Sequence, residues 1–383
     1  MKLLHTSDWH VGKQIRGNSR ADEHRAALRE IVTIADEETV DLVVVAGDLF
    51  DTSAPSPESQ EIVYRTLLDL ATGGRQVIVI SGNHDNARAL RAVQPVFSGC
   101  GVTVLAEPTR PDQGGVHTFT AASGEPVNVA MLPFVSQRGI VRADQLMSGE
   151  AFEHALLYSQ RMAQLVDVMC SPFRADTVNV LTAHAFVVGG APGGGERLAH
   201  LVNEYAVQVP SFPATAGYVA LGHLHKAQPI AAGTAMHYCG SPLQLDFGES
   251  DDRKQVNLVE LQPGLPAKVR SRELSSGRAL RTYRGTVDQL RTAVDDDDAW
   301  LRLRVSEPRR AGIQNDLRAM FGDRLVDVII DFVAADGDEV RPRRAGRSPH
   351  ELFADYLASQ NVSDPRVSAL FAELLDLASE ASS

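Results

Sequence analysis

From Met1 to about Leu105, short apolar runs alternate with helical repeats, the rhythm of βαβ units built around a buried sheet. Lys2–Leu4, Leu42–Ala46, Gln76–Ile80 and Val102–Leu105 predict strands. Between the first two, Asp22–Glu38 carries Ala26, Leu28, Ile31, Val32 and Ile34 on an approximately helical spacing. Ser56 ahead of Pro57 and Glu58 predicts the start of another helix, since serine caps free N–H groups and proline suits the first turn.

A second set of strands is expected at Val127–Leu132, Val178–Ala183, Tyr218–Leu221, Met236–Tyr238 and Gln255–Leu261, with one helix near Glu150–Met169. These predict a second sheet packed on the first. The glycine-rich segment Ala185–Gly195 is too irregular for an element and reads as a mobile loop.

After about Gly264 the composition shifts. Residues 267–350 hold 17 Lys+Arg against 14 Asp+Glu, a net of +3, which leaves −15 for the rest of the chain against a total of −12. Most of that positive charge is arginine, including Arg309, Arg310, Arg341, Arg343, Arg344 and Arg347. Trp300–Val305, Ile313–Phe321 and Val326–Phe332 predict strand, helix and strand of a small α/β module, followed by a loop over Ala334–Arg347. Ser348-Pro349-His350-Glu351 has capping-box spacing, and Leu352, Phe353, Tyr356 and Leu357 then share one helical face. A second short helix carries Val367, Leu370, Phe371, Leu374 and Leu375. Such a pair either covers the body of the protein or hooks a partner helix.

A length of 383 residues exceeds one ordinary core and predicts a catalytic domain with smaller units. No run approaches the roughly 18 apolar residues of a membrane span, and the first residues lack a signal peptide's layout, so a cytoplasmic protein without membrane attachment is expected. Cys100, Cys170 and Cys239 are odd in number, widely spaced and without a C-x-x-C pair, and read as buried thiols. The net charge of −12 argues against a surface that grips nucleic acid over its whole extent, though not against a local basic patch.

Every conspicuous polar cluster sits just after a predicted strand, where an open α/β sheet forms its ligand crevice. Asp8 and His10 follow the first, Gly47, Asp48 and Asp51 the second, Gly82-Asn83-His84-Asp85 the third; later strands deliver His184 and Gly222-His223-Leu224-His225. Each cluster alone has an ordinary structural explanation. Five in this order point to a pair of divalent cations that orient a phosphate and stabilise both apical oxygens of an in-line displacement. Such a pair needs a bridging carboxylate, for which Asp48 is the candidate. Mixed imidazole, carboxylate and amide donors favour manganese or iron over calcium.

These motifs resemble the calcineurin-like metallophosphoesterase superfamily. The resemblance implies that Asp8, His10 and His225 hold one metal, that Asn83, His184 and His223 hold the other, and that Asp48 bridges. His84 is then the histidine that touches phosphate and protonates the leaving oxygen. Asp51 is expected to fix its tautomer, with a helix or turn cap as the alternative; Asp85 reads as structural.

His5-Thr6-Ser7-Asp8-Trp9-His10-Val11-Gly12, Val45 to Thr52 and Tyr238-Cys239-Gly240-Ser241-Pro242 look more narrowly like the nuclease subunits of bacterial SbcCD-type complexes, relatives of the double-strand-break repair nucleases. This likeness implies a two-sheet α/β metallophosphoesterase sandwich over residues 1–265, flanked by helices. It also implies a small α/β DNA-capping domain over 266–340, and a linker with a C-terminal helical pair over 341–383. It further implies manganese-dependent 3′→5′ exonuclease and endonuclease action on DNA ends and hairpins. The implied partners are an SbcC-like SMC-family ATPase, held by the terminal helices, and a second copy of the chain within a heterotetramer. A small-molecule or cyclic-nucleotide phosphodiesterase with the same ions, and a non-catalytic scaffold bridging DNA ends, are the competing readings. Which residues touch DNA is not indicated by the sequence.

Overall fold

A computed structural model describes residues 1–136, 151–196, 206–295, 297–307, 312–331, 349–359, 364, 366–368 and 370–371. The chain forms two compact units, Met1–Asp331 and Phe332–Ser383.

Seventeen strands are present among the described residues: β1 Lys2–Thr6, β2 Gln14–Ile15, β3 Asn18–Ser19, β4 Leu42–Val45, β5 Gln76–Ile80, β6 Val102–Leu105, β7 Val116–Thr120, β8 Pro126–Leu132, β9 Val178–His184, β10 Tyr218–Gly222, β11 Gln228–Ile230, β12 Ala235–Tyr238, β13 Gln255–Glu260, β14 Lys268–Glu273, β15 Leu280–Gly285, β16 Trp300–Val305 and β17 Leu325–Ile330. The helices are α1 Ala21–Glu37, α2 Pro57–Leu70, α3 Ala87–Ser98, α4 Ala151–Cys170, α5 Val287–Ala293, α6 Ile313–Phe321 and α7 Pro349–Ser359.

The first sheet has the order β14-β13-β1-β4-β5-β6, and the second β11-β12-β10-β9-β8-β7. β1, β4, β5 and β6 are parallel, as are β8, β9, β10 and β12. Strand periodicity divides their side chains between two apolar layers. Leu3, Val44, Ile78 and Ile80 face Val129, Met131, Val180 and Ala220 in the interior between the sheets. Leu4, Val43, Val45, Val77 and Val79 pack on the other side under α1, α2 and α3. The second sheet's outer face, with Leu181, Ala183, Val219 and Leu221, is covered by Tyr158, Met162, Val166 and Met169 of α4. Both faces of each parallel core are therefore buried, which explains why these strands read as continuous apolar runs. At the start of α2 the Ser56 side chain accepts from Ser59 N at 3.1 Å, with Pro57 in the first turn.

Three expectations change. Gln255–Leu261, grouped with the second sheet, instead pairs antiparallel with β1, and β14 extends the first sheet beyond residue 265. Cys100 is exposed, while Cys170 and Cys239 are buried. The start of the glycine-rich segment is buried at Ala185, Phe186 and Val187, and Ala191 is tied to the Gln228 side chain by two hydrogen bonds of 2.8 and 2.7 Å. Gly190 and Gly195 serve close approach there, to Leu224 and to Glu249.

β15, β16 and β17 form a separate parallel sheet with α5 and α6 on one face, around Leu290, Leu301, Leu303, Val305, Ile313 and Leu317. It docks through Leu280 and Trp300 against Ile15 and Phe247. The Trp300 indole donates to Glu23 at 2.9 Å, and the Arg278 guanidinium lies 3.6 Å over its ring. Arg16, on the β2–β3 hairpin, shares Asp327 with Arg302. The arginines described here are largely neutralised: Arg281 by Asp295 and Asp297, Arg284 and Arg304 by Asp331. Arg309, Arg310, Arg341, Arg343, Arg344 and Arg347 lie outside the described residues, as do Ser348, Leu374 and Leu375.

In the second unit, α7 and residues 366–368 and 370–371 are helical, and Phe353 stacks on Phe371 with ring centroids 3.9 Å apart. Tyr356 and Leu370 are exposed. Among the described residues, no helix is long and apolar enough to cross a membrane.

Candidate metal centre

The chain beyond β1 stays zipped to the chain beyond β4: Asp8 N donates to Gly47 O, His10 N to Asp48 O and Val11 N to Leu49 O, each at 3.0 Å. This continued pairing carries two loops of candidate ligands past the sheet edge as one unit. Asp8, His10, Asp48 and His223 all sit at positive φ, of 53°, 45°, 51° and 110°. Such backbone is costly for a residue with a Cβ and persists where surrounding contacts over-determine it. Those contacts are present. The Asp8 carboxylate accepts from His223 N at 3.0 and 3.2 Å and from the Ser7 hydroxyl, and Asp48 Oδ1 accepts from His84 N at 2.8 Å. Gly47 turns the chain at φ 95°, and a Cβ there would collide with the His184 ring.

Side chains from both sheets meet at this edge. Asp48 Oδ2 lies 3.5 Å from His10 Nε2 and 3.4 Å from His184 Nε2. His225 Nε2 is 3.1 Å from His10 Nε2, and Asn83 Oδ1 is 2.9 Å from both His184 Nε2 and His223 Nδ1. All seven expected ligand residues thus converge. Asp8, His10 and His225 form one compact donor group, and Asp8, Asp48 and His184 form another. Asp8, His10, Asp48, His184, His223 and His225 are buried, while Asn83 and His84 are half-buried and mark the open side.

The donors fit cations for a reason of hydrogen-bond accounting. The Ala46 carbonyl, 2.8 Å from His184 Nδ1, only accepts, and Glu249 holds His225 Nδ1 at 2.9 Å. In each ring, when neutral, the hydrogen is drawn outward and the inward nitrogen is left with its lone pair. Bare nitrogens, carboxylates and an amide oxygen packed at about hydrogen-bond distance repel one another unless protons or cations lie among them. The protein's own electrostatics supply a proton in the metal-free state. Burial works against a charged His184, but Asp48 outweighs it and raises His184 to about 9. Burial also raises Asp8 to about 6 and lowers His10 to about 4.

His84 has its ring 4.6 Å from that of His10, edge to face. Its Nδ1 lies 2.7 Å from Asp51, as expected for a partner, but the acceptor is the Asp51 main-chain oxygen. The Asp51 carboxylate turns instead toward His10 Nδ1 at 3.7 Å and Lys13 Nζ at 3.3 Å. The turn after β4 aims the backbone carbonyl, and leaves the charged end beside two cationic or donor groups. Asp85 accepts from the N–H groups of Leu49, Phe50 and Gly82, at 3.2, 3.1 and 2.9 Å, and so fastens the second ligand loop to the third.

Sequence reasoning missed Glu249, Glu196 and Phe134. Glu196 Oε1 accepts from His225 N at 2.9 Å, and Phe134 stacks on His223 at 6.2 Å between centroids. Each is a lone residue in a loop, without a repeat or spacing that would have singled it out.

Known proteins are similar in sequence to this chain. The profile of the calcineurin-like phosphoesterase family matches residues 1–226. The chain is 35% identical to the D component of nuclease SbcCD from Bacillus subtilis over 315 residues, which covers 80% of this chain and 79% of that one. It is 28% identical to the corresponding SbcCD component of Escherichia coli K12, covering 86% and 84%. With that of Rhodobacter capsulatus the identity is 34%, covering 69% and 67%.

Proposed function

The chain belongs to the calcineurin-like phosphoesterases and, within them, to the D components of the SbcCD nucleases, and from that membership we propose that it cleaves DNA at the centre described above. It is a metal-dependent phosphodiesterase; a small-molecule or cyclic-nucleotide substrate is not favoured by relatives that are nucleases.

The reading gives Asp8, His10 and His225 to one divalent ion, Asn83, His184 and His223 to the other, and Asp48 to both. Manganese suits this mixture of imidazole, carboxylate and amide oxygen. The ions, when bound, would offset phosphate charge and acidify the attacking water. The chain's own residues do the rest. The Ala46 carbonyl and Glu249 orient two imidazoles with their lone pairs inward. His84, on the open side with Nδ1 held by Asp51 O, presents Nε2 to the leaving oxygen and protonates it. The single observation that carries the reading is the crowding of imidazole nitrogens and carboxylate oxygens around Asp48, which protons or cations must reconcile.

We assign residues 266–340 broadly to a DNA-capping module and the terminal helices to an SbcC-like SMC-family ATPase. We assign DNA ends and hairpins, cut 3′→5′ and endonucleolytically, as substrate, a homodimer within a heterotetramer as the assembly, and the cytoplasm as the compartment. The exposed Tyr356 and Leu370 beside the Phe353–Phe371 stack support a helical partner. The test is cleavage of linear duplex and hairpin DNA with manganese, against turnover of a chromogenic phosphodiester. DNA should be cut, and Asp48→Asn should abolish cutting while the chain stays folded. Turnover of the small ester without any DNA cleavage, alone or with the ATPase, would overturn the nuclease reading.

A further inference from the structure

Beyond the ligands, the region around His225 holds a buried ion pair with every polar atom accounted for. Glu249 is fully buried, on the short turn Phe247–Glu249. Its Oε1 faces His225 Nδ1 at 2.9 Å, and its Oε2 accepts from Leu245 N at 3.0 Å and from Lys254 Nζ at 2.7 Å. The Lys254 ammonium has two further acceptors, Ser241 Oγ at 3.0 Å and the His225 carbonyl at 3.1 Å. Three N–H donors thus meet three acceptors, and the pair holds both the ring and the main chain of one histidine. A buried ion pair is costly unless so completely satisfied. Gly195 crosses directly above it: a Cβ there would strike Glu249 Oε1 and sit 2.9 Å from His225 Nδ1. The glycine-rich segment therefore shuts water out of the contact.

The other imidazoles with defined backing are held differently. His184 Nδ1 faces a neutral carbonyl, and His10 Nδ1 has a carboxylate only at 3.7 Å. A carboxylate behind an imidazole fixes its tautomer and makes the opposite nitrogen a stronger donor, and losing such a partner typically weakens metal affinity about 10–100-fold.

We infer that Glu249, braced by Lys254, is a positioning residue that makes the ion held by Asp8, His10 and His225 the more tightly bound of the two. This rests on the metal-centre reading above. The test is calorimetric titration of the full chain with manganese, comparing the wild type with Glu249→Gln. The wild type should take up two ions. In the variant one should weaken about 10–100-fold and the other by less than about threefold. Two unchanged affinities, or an equal loss at both, in a variant with wild-type thermal stability in chelator would overturn the inference alone. A wild-type chain that binds no manganese overturns the metal-centre reading and this inference together. Should Glu249→Gln not fold, imidazole ¹⁵N spectra of the wild-type chain in chelator at alkaline pH decide the matter. His225 should carry its proton on Nδ1, and a proton on Nε2 overturns the assignment.

Discussion

Replacing His84 with glutamine separates proton delivery from everything else the centre does. His84 is fixed at both ends, its main-chain N–H donating to Asp48 Oδ1 at 2.8 Å and its ring Nδ1 lying 2.7 Å from the Asp51 carbonyl. With the ring hydrogen committed to Asp51, the proton that can be given away is the one on Nε2. A glutamine side chain spans a similar reach and keeps a hydrogen-bond donor, but it holds no proton of suitable acidity. General-acid catalysis is worth about 10²–10⁴ in rate, or roughly 3–5 kcal/mol of barrier. His84→Gln should therefore lower kcat on DNA by about that factor, since a sugar alkoxide leaves poorly without a proton. On a phosphodiester with a stable phenolate leaving group the same substitution should cost less than about tenfold, because that group departs without help. The assay is steady-state turnover of both substrates at saturating manganese, with elemental analysis showing equal metal content in the two proteins. An equal loss on both substrates would refute leaving-group protonation and assign His84 to phosphate binding.

Two further outcomes follow from the same geometry. Because His184 holds its proton up to about 9 in the metal-free protein, an entering ion must displace that proton. Apparent manganese affinity should therefore rise with pH, by about tenfold per unit or more, and level off above that value, with one proton or more released in calorimetry across buffers of different ionisation enthalpy. A flat affinity below that value would remove the competition. Gly47→Ala places a methyl group against the His184 ring at φ 95° and should cost roughly 1–3 kcal/mol along with manganese binding; thermal melts and the same titration measure both, and wild-type values in each would show that the loops yield freely.

The candidate ligands were legible because each lies at or just after the end of a strand whose apolar run is unmistakable, so that Asp8, Asp48, Asn83, His184 and His223 are tied to a fixed place in the sheet. What escaped is of three kinds. Main-chain acceptors such as the Ala46 and Asp51 carbonyls belong to every residue and carry no letter of their own. Glu249 and Lys254 meet His225 only through the turn at Phe247–Glu249, and a lone acid in a loop has no periodicity to betray it. Strand order is also non-local: β13 reads like its neighbours in sequence, yet it inserts antiparallel beside β1, where Leu3 and Val259 pair. The arginine excess after Gly264 is real as composition. In space, however, Asp327 of β17 and Asp331 just after it neutralise Arg302 and Arg304 on the neighbouring β16 and Arg284 on β15 beyond it, so that counting charges overstated what the described surface offers to phosphate.

The centre draws on residues from Asp8 to His225, and its brace reaches Lys254. No fragment that ends before His225 holds the whole set, because the amino-terminal sheet supplies four of the seven candidate side chains and β9 and β10 bring the other three. A nascent chain shorter than this lacks part of the set, so the centre can be complete only after strands of both sheets have left the ribosome.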